Sequence, residues 1–73
     1  GAVQMELGEV ELAVASYTKA IECDPHFPDA YYNRGVANLK LGRKEQGLSD
    51  LSQAGEYGLY HAYSLIKQYS ANK

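Results

Sequence analysis

Five side chains of this sequence are considered first, because their types and spacing could catalyse a reaction or bind a metal. They are Cys23, His26, His61 and the close carboxylate pair Glu9 and Glu11. Cys23 and His26 have a spacing that metal ligands use, but the sequence offers them no second pair of ligands. The two glutamates fall in the first turn of a helix pattern, where the helix dipole favours negative charge. The sequence therefore predicts no catalytic residue, no metal site and no cofactor, and it places both histidines in loops or on the surface.

Cys23 is the only cysteine of the 73 residues, which excludes an internal disulfide and favours a reducing compartment such as the cytoplasm. It precedes Asp24 at the end of a helix pattern, and both features disfavour a reactive thiolate. We therefore expect a small, half-buried side chain. The net charge of -2 argues against nucleic acid as a partner. No apolar run reaches the roughly 20 residues that a membrane helix needs, so no membrane partner is expected.

A second group of side chains is suited to binding a peptide. Tyr32, Asn33 and Lys40 combine a flat apolar ring, an amide and a positive charge. Helical periodicity puts Tyr32 on one stripe with Asp29, Val36, Leu39 and Lys40, and the adjacent tyrosine points about 100° away. Packing of Tyr32 against a neighbouring helix is the alternative, and the two roles are compatible. The candidate peptide-binding residues are Asp29, Tyr32, Asn33, Val36 and Lys40.

Periodicity and helix breakers predict the elements that position these side chains. The expected helices are residues 2–7, Glu9 to Cys23, Pro28 to Leu41, Arg43 to Tyr57 and Leu59 to about Ser70. Pro28 suits a first helical turn, and Gly42 and Gly58 suit the left-handed conformation that ends a helix. The residues expected to face neighbouring helices are Val10, Ala13, Val14, Tyr17, Ala20 and Ile21, then Tyr31, Arg34, Gly35, Asn38 and Leu41, then Leu48, Leu51 and Ala54, and finally Leu59, Tyr63, Tyr69 and either Leu65 or Ile66.

The chain repeats its own pattern after 34 residues. Leu7-Gly8 recurs as Leu41-Gly42, and Ala20 recurs as Ala54. Residue size is kept at further positions, since Ala13 matches Gly47 and both are small. A repeat of this length, with a glycine at each turn, indicates two copies of one helix–turn–helix unit.

This unit resembles the tetratricopeptide repeat (TPR). The resemblance rests on Leu7-Gly8, the Ala13-x3-Tyr17 step, Ala20, Asp24-Pro25, the run from Ala30 to Gly35, Leu41-Gly42 and Ala54. The sequence departs from the usual pattern at Arg34, Asn38 and Gly47, where Leu, a large aromatic residue and Ala are common. The last junction, AGEYGLYHAY, has no proline and is more similar to the Sel1-type repeat.

The resemblance implies an all-α fold of antiparallel helix–turn–helix repeats, a TPR-like α-solenoid fragment with a C-terminal capping helix. Residues 1–73 then form one domain. It consists of a partial first repeat at 1–25, a second repeat at 26–58, a capping helix at 59–70 and a frayed tail at 71–73. Gly1 corresponds to the middle of a first helix, so we expect part of that helix and further repeats to precede the sequence.

The resemblance also implies a non-catalytic protein–protein interaction module. A peptide or partner segment would bind on the concave face, which the stripe of Tyr32 would line. The alternative is a structural C-terminal cap of a longer repeat protein with no ligand of its own. Some members hold a C-terminal carboxylate between Asn and basic residues; Asn33 and Lys67 fit that pattern, but the first helix lacks the matching groups. An open apolar face around Tyr17 also predicts a homodimer.

Overall fold

The computed structural model describes the backbone of residues 2–71 and the side chains of residues 8–69. This part of the chain consists of four α-helices and contains no strand: α1 (Ala2–Cys23), α2 (Pro28–Lys40), α3 (Lys44–Glu56) and α4 (His61–Ala71). Short connections between them place sequential helices antiparallel. They form a slab of 38 × 35 × 15 Å. The all-α helical-repeat fold is therefore confirmed.

The predicted turn at Leu7-Gly8 is wrong, because α1 runs through Gly8 as one helix. The equivalent glycine, Gly42, has a φ of +83° and ends α2, whereas Gly8 keeps a negative φ. A Cβ on Gly8 would meet nothing within 4 Å. No described residue packs there to compensate for the hydrogen bonds that a break would lose, so the backbone stays helical. The division of residues 1–25 as a partial first repeat stays a prediction.

The other helix ends follow the local signals of the sequence. Pro28 lies in the first turn of α2, where its missing N–H leaves no helical bond unmade. In the loop before α2, the Asp24 side chain accepts a hydrogen bond of 3.2 Å from the His26 N–H, and this bond stabilises the turn. Gly58 has a φ of +114° after α3, as Gly42 does after α2. These expectations are confirmed, although α4 begins two residues later than predicted.

Two glycines allow α2 and α3 to touch. A Cβ on Gly35 would lie 2.8 Å from the carbonyl oxygen of Gly47, and a Cβ on Gly47 would lie 2.7 Å from Leu39 Cγ. Next to this crossing, Leu51 has no exposed surface. It forms the core cluster with Ala54 and, from α4, Ala62. The predicted inward positions of α3 are confirmed, and they form the centre of the molecule.

The inner face of α4 differs from the predicted one. Ala62 is completely buried, whereas Tyr63 and Tyr69 keep 43% and 39% of their surface exposed. A small side chain fits between α3 and α4, and the ring of Tyr63 instead lies over the position where Gly55 has no side chain. The expectation that Tyr63 and Tyr69 are buried is therefore wrong. Leu59 is half-buried as predicted. The sequence predicted that either Leu65 or Ile66 faces inward, and both residues are half-buried.

Candidate functional site

A groove of about 310 Å³ lies between α1 and α2. The α1 side consists of residues three and four apart, and the α2 side of residues on one helical face, so two regular helices are enough to shape it. We call this cavity the α1–α2 groove. Its lining residues are Val10, Ala13 and Tyr17 from α1, and Tyr32, Asn33, Val36, Ala37 and Lys40 from α2.

Four of the five predicted binding residues line the α1–α2 groove together. They are Tyr32, Asn33, Val36 and Lys40. Asp29 is exposed in the first turn of α2 and does not line the groove. The role of these side chains in binding stays a prediction, but their common placement gives them one surface to act on.

Tyr32 lies at the border between the α1–α2 groove and the core. It is half-buried, and its ring makes an edge-on contact with His61 of α4, with 4.9 Å between the ring centres. This geometry is favourable for two aromatic rings. The packing alternative for Tyr32 is therefore observed, and the side chain still contributes to the groove lining.

The α1–α2 groove is apolar along its length and positive at one end. Val10, Tyr17 and Val36 are half-buried in it, while Asn33 and Lys40 are exposed. Lys40 is the only charged residue of the lining. The ion pairs among residues 8–69 are Arg34–Asp50 and Arg43–Glu11, so no described carboxylate neutralises Lys40. The groove can accept apolar side chains and one negative charge.

A second cavity, of about 480 Å³, lies along the face of α2 that carries Arg34 and Asn38. The Arg34 guanidinium donates hydrogen bonds of 2.9 and 2.7 Å to the two carboxylate oxygens of Asp50 and one of 3.2 Å to the Thr18 hydroxyl. The Asn38 amide donates a further bond of 3.0 Å to Asp50. The bonds to Asp50 raise the pKa of Arg34 above its ordinary value. The ion pair joins α2 to α3, and the bond to Thr18 links the same arginine to α1.

Sequence reasoning missed this network, although it noted that Arg34 and Asn38 are unusual for the repeat. Both lie on the stripe of α2 that was expected to pack, and a half-buried arginine needs a carboxylate from a neighbouring helix. Asp50 follows the packing position Gly47 by three residues on α3. That spacing was the available signal. Among the residues that the structure describes, the Asn38 side-chain oxygen has no hydrogen-bond partner, although Asn38 is only 3% exposed.

The residues first considered for catalysis or metal binding are dispersed. Cys23 is exposed, not half-buried as expected. His26 packs edge-on against Tyr57 with 5.0 Å between ring centres, and Glu11 accepts a bond of 3.4 Å from Arg43. Within the described residues, no three His, Cys, Asp or Glu side chains are close enough to share a metal ion. No described helix combines the length and the apolar character that crossing a bilayer requires.

Comparison with known proteins provides independent information. The sequence profile of a family described as "TPR repeat" matches residues 1–42. The chain is 38% identical over 52 residues to a human protein named "FK506-binding protein-like", a match that covers 71% of this chain and 15% of that protein. It is 44% identical over 39 residues to an uncharacterized protein of Methanocaldococcus jannaschii, covering 53% of this chain and 45% of that protein.

The chain thus spans less than half the length of each of these two relatives. No solved structure matches the chain significantly.

Proposed function

Because this chain belongs to the tetratricopeptide repeat family, whose repeats generally mediate protein–protein interaction, we propose that it binds a peptide or a segment of another protein in the α1–α2 groove. The observation that carries the proposal is the common placement of Tyr32, Asn33, Val36 and Lys40 along this groove. Three kinds of recognition meet there: apolar contact, hydrogen bonding by an amide and attraction of a carboxylate.

Each group has a definite part in the proposed interaction. The rings of Tyr17 and Tyr32, together with Val36, cover apolar side chains of the partner. The exposed Asn33 amide offers a donor and an acceptor to the partner's polar groups. Lys40 attracts an acidic side chain at the end of the groove, an interaction that weakens at high salt. Asp29 lies outside the lining, and we assign it the smaller role of repelling acidic groups at the other end of α2.

The proposal is tested by capturing partners from a lysate of the source organism with the 73-residue chain and its Tyr32→Ala/Lys40→Ala variant. A partner retained by the parent and lost by the variant supports the groove as the site. The matched control is Tyr60→Ala/Lys44→Ala, because both residues are exposed and lie outside the α1–α2 groove. Helicity by circular dichroism is measured on all three proteins, since Tyr32 also contacts His61. Equal retention by parent and both variants contradicts the proposal.

One observation favours a structural cap as the second candidate function. α4 buries Ala62 against α3 while Ser64, Lys67 and Gln68 face solvent. A polar outer face is what the terminal repeat of a solenoid needs. A cap without a ligand would retain no partner in the same experiment. In the longer protein, a cap would be insensitive to Lys40→Ala but would lose stability when Ala62 is replaced by a charged residue.

A further inference from the structure

The cavity of about 480 Å³ has a floor of hydrogen-bonded side chains and an exposed rim, and we call it the polar cavity. Its floor consists of Thr18 from α1, Arg34 and Asn38 from α2, and Asp50 from α3. It shares no lining residue with the α1–α2 groove, because it lies on another face of α2. The exposed residues of its rim are Arg43, Glu45, Gln46 and Ser49.

The bonds within the floor leave Arg34 with unused donors. A guanidinium carries five N–H groups, and Arg34 uses one on each of its three nitrogens, toward Asp50 and Thr18. The other N–H groups have no acceptor among the described residues, and the Arg34 side chain is 22% exposed. Asp50 already neutralises the arginine, with 2.7 Å between the charged atoms. A neutral carbonyl oxygen therefore suits these donors better than an anion does.

Asn38 has an unused acceptor. Its amide nitrogen donates to Asp50 over 3.0 Å, and because a carboxylate only accepts, the amide cannot be turned round. The Asn38 oxygen is therefore the atom without a partner, and no described residue donates to it. A buried acceptor that lacks a donor costs free energy, which a ligand N–H at this point would recover.

A carboxamide group carries both complementary atoms, a carbonyl oxygen and an N–H. We propose that the polar cavity binds a glutamine or asparagine side chain of a partner protein, whose carbonyl oxygen accepts from Arg34 and whose N–H donates to Asn38. Charge does not favour an ion, because the lining contains two arginines and two acidic residues. One carboxamide fills only part of 480 Å³, and the rim can accept the backbone beside it, which favours a protein segment over a free amide.

Entry of the carboxamide requires a small opening of the floor, because the Asn38 oxygen is closed to solvent. The rim side chains Gln46 and Ser49 are exposed and can move aside without unpacking a helix. Arg34 and Asn38 are the residues of α2 at which this chain departs from the usual repeat. The site is therefore specific to this chain, and it is independent of the proposed function.

The test is an NMR titration of the nitrogen-15-labelled 73-residue chain, in which the side-chain N–H signals of Arg34 and Asn38 report on the floor directly. The probe is N-acetylglutamine methylamide, and its two isosteres carry homoleucine or glutamic acid in place of glutamine. We expect saturable shifts of both signals with the glutamine probe. Each isostere should bind weaker by about fivefold or more, because it lacks the N–H and leaves a buried acceptor unpaired.

Variants of the protein locate the effect. Asn38→Leu should abolish the preference for the glutamine probe over the homoleucine probe. Asn33→Leu makes the same change on the exposed surface of α2 outside the polar cavity and should preserve the preference. If Asn38→Leu alters the helicity, Ser49→Trp tests the site from the rim, because it narrows the opening and removes no bond of the floor. Its control is Ser64→Trp on the exposed surface of α4.

Three results would overturn the proposal. Equal binding of the glutamine and homoleucine probes would show that the cavity accepts apolar groups. Stronger binding of the glutamic acid probe would identify an anion site at Arg34 and Arg43. No saturable shift with any probe, up to its solubility limit, would mean that only water enters the cavity. The lysate capture with Tyr32→Ala/Lys40→Ala concerns the α1–α2 groove, so it decides the proposed function separately.

Discussion

The two sides of α2 meet their neighbouring helices differently. Toward α3, backbone touches backbone at Gly35 and Gly47, and a carboxylate, an arginine and an amide are bonded beside the crossing. Toward α1, the α1–α2 groove lies between the two helices, and its lining residues from α1 are half-buried. Residues 8–23 of α1 are at most half-buried, whereas α3 has five buried positions.

The difference shows that a repeated sequence pattern does not by itself close an interface. Ala13 and Gly47 occupy the same place in the repeat, and so do Tyr17 and Leu51, yet Gly47 and Leu51 are buried whereas Ala13 and Tyr17 are only half-buried. The face of a helix that packs against another helix is apolar. The α2–α3 side forms part of the core, whereas the α1–α2 side is the surface on which the proposed binding would occur.

The largest expected effect on stability is at the contact between α2 and α3. Asp50→Ala should lower the free energy of unfolding by about 3 kcal/mol, because it leaves the Arg34 charge and the Asn38 amide without their acceptor. Urea unfolding followed by circular dichroism measures it. Arg34→Leu/Asp50→Leu is the control, since it removes both charges and should recover most of the loss. A loss below about 1 kcal/mol in the single variant would mean that the network contributes no more than an exposed ion pair.

The crossing of α2 and α3 should be sensitive to a single methyl group. Gly35→Ala places a Cβ 2.8 Å from the Gly47 carbonyl oxygen, and backbone cannot move aside as a flexible side chain can. We expect a loss of about 1–2 kcal/mol after the better helix propensity of alanine is counted. Thermal unfolding measures this loss. Unchanged or increased stability would show that the two helices are farther apart than the glycine pair implies.

The same substitution at Gly8 of α1 should change the free energy of unfolding in the opposite direction. Gly8 lies inside α1 with negative φ and no neighbour near its missing side chain. Gly8→Ala should therefore raise the free energy of unfolding by up to about 1 kcal/mol, through helix propensity alone. Because the chemical change is identical to that at Gly35, the pair of variants isolates packing from propensity. Destabilisation by Gly8→Ala would indicate that a turn forms at Leu7-Gly8, as the sequence pattern predicts.

Local signals determined what the sequence could predict. The left-handed conformations of Gly42 and Gly58 and the place of Pro28 depend on a few neighbouring residues, and they are confirmed. Periodicity identified Leu51 and Ala54 as inward because a helix has one face toward its partner. Helical periodicity also put Tyr32, Val36 and Lys40 on one stripe, with Asn33 beside it, and these four residues line one groove in the structure.

The features that the sequence could not predict depend on contacts between helices. A turn at Gly8 would need a neighbouring segment to pack against it and stabilise it. The glycine alone does not determine whether such a segment is there. Tyr63 stays partly exposed because the narrow space between α3 and α4 accepts Ala62 instead. The bonds from Arg34 to Asp50 join residues 16 positions apart on different helices. A pattern read along one helix contains no information about which side chain of the next helix comes opposite.

The smallest expected effect concerns the ion pair between Glu11 of α1 and Arg43 in the turn between α2 and α3. Arg43 donates to Glu11 over 3.4 Å, and both side chains are largely exposed. A double-mutant cycle of Arg43→Ala and Glu11→Ala should give a coupling of about 0.5 kcal/mol or less at low salt, and it should vanish near 1 M salt through screening. The buried network at Arg34 and Asp50 should keep most of its coupling in the same salt series. A salt-resistant coupling above about 1 kcal/mol at Glu11 would show that α1 is held more firmly than its open groove implies.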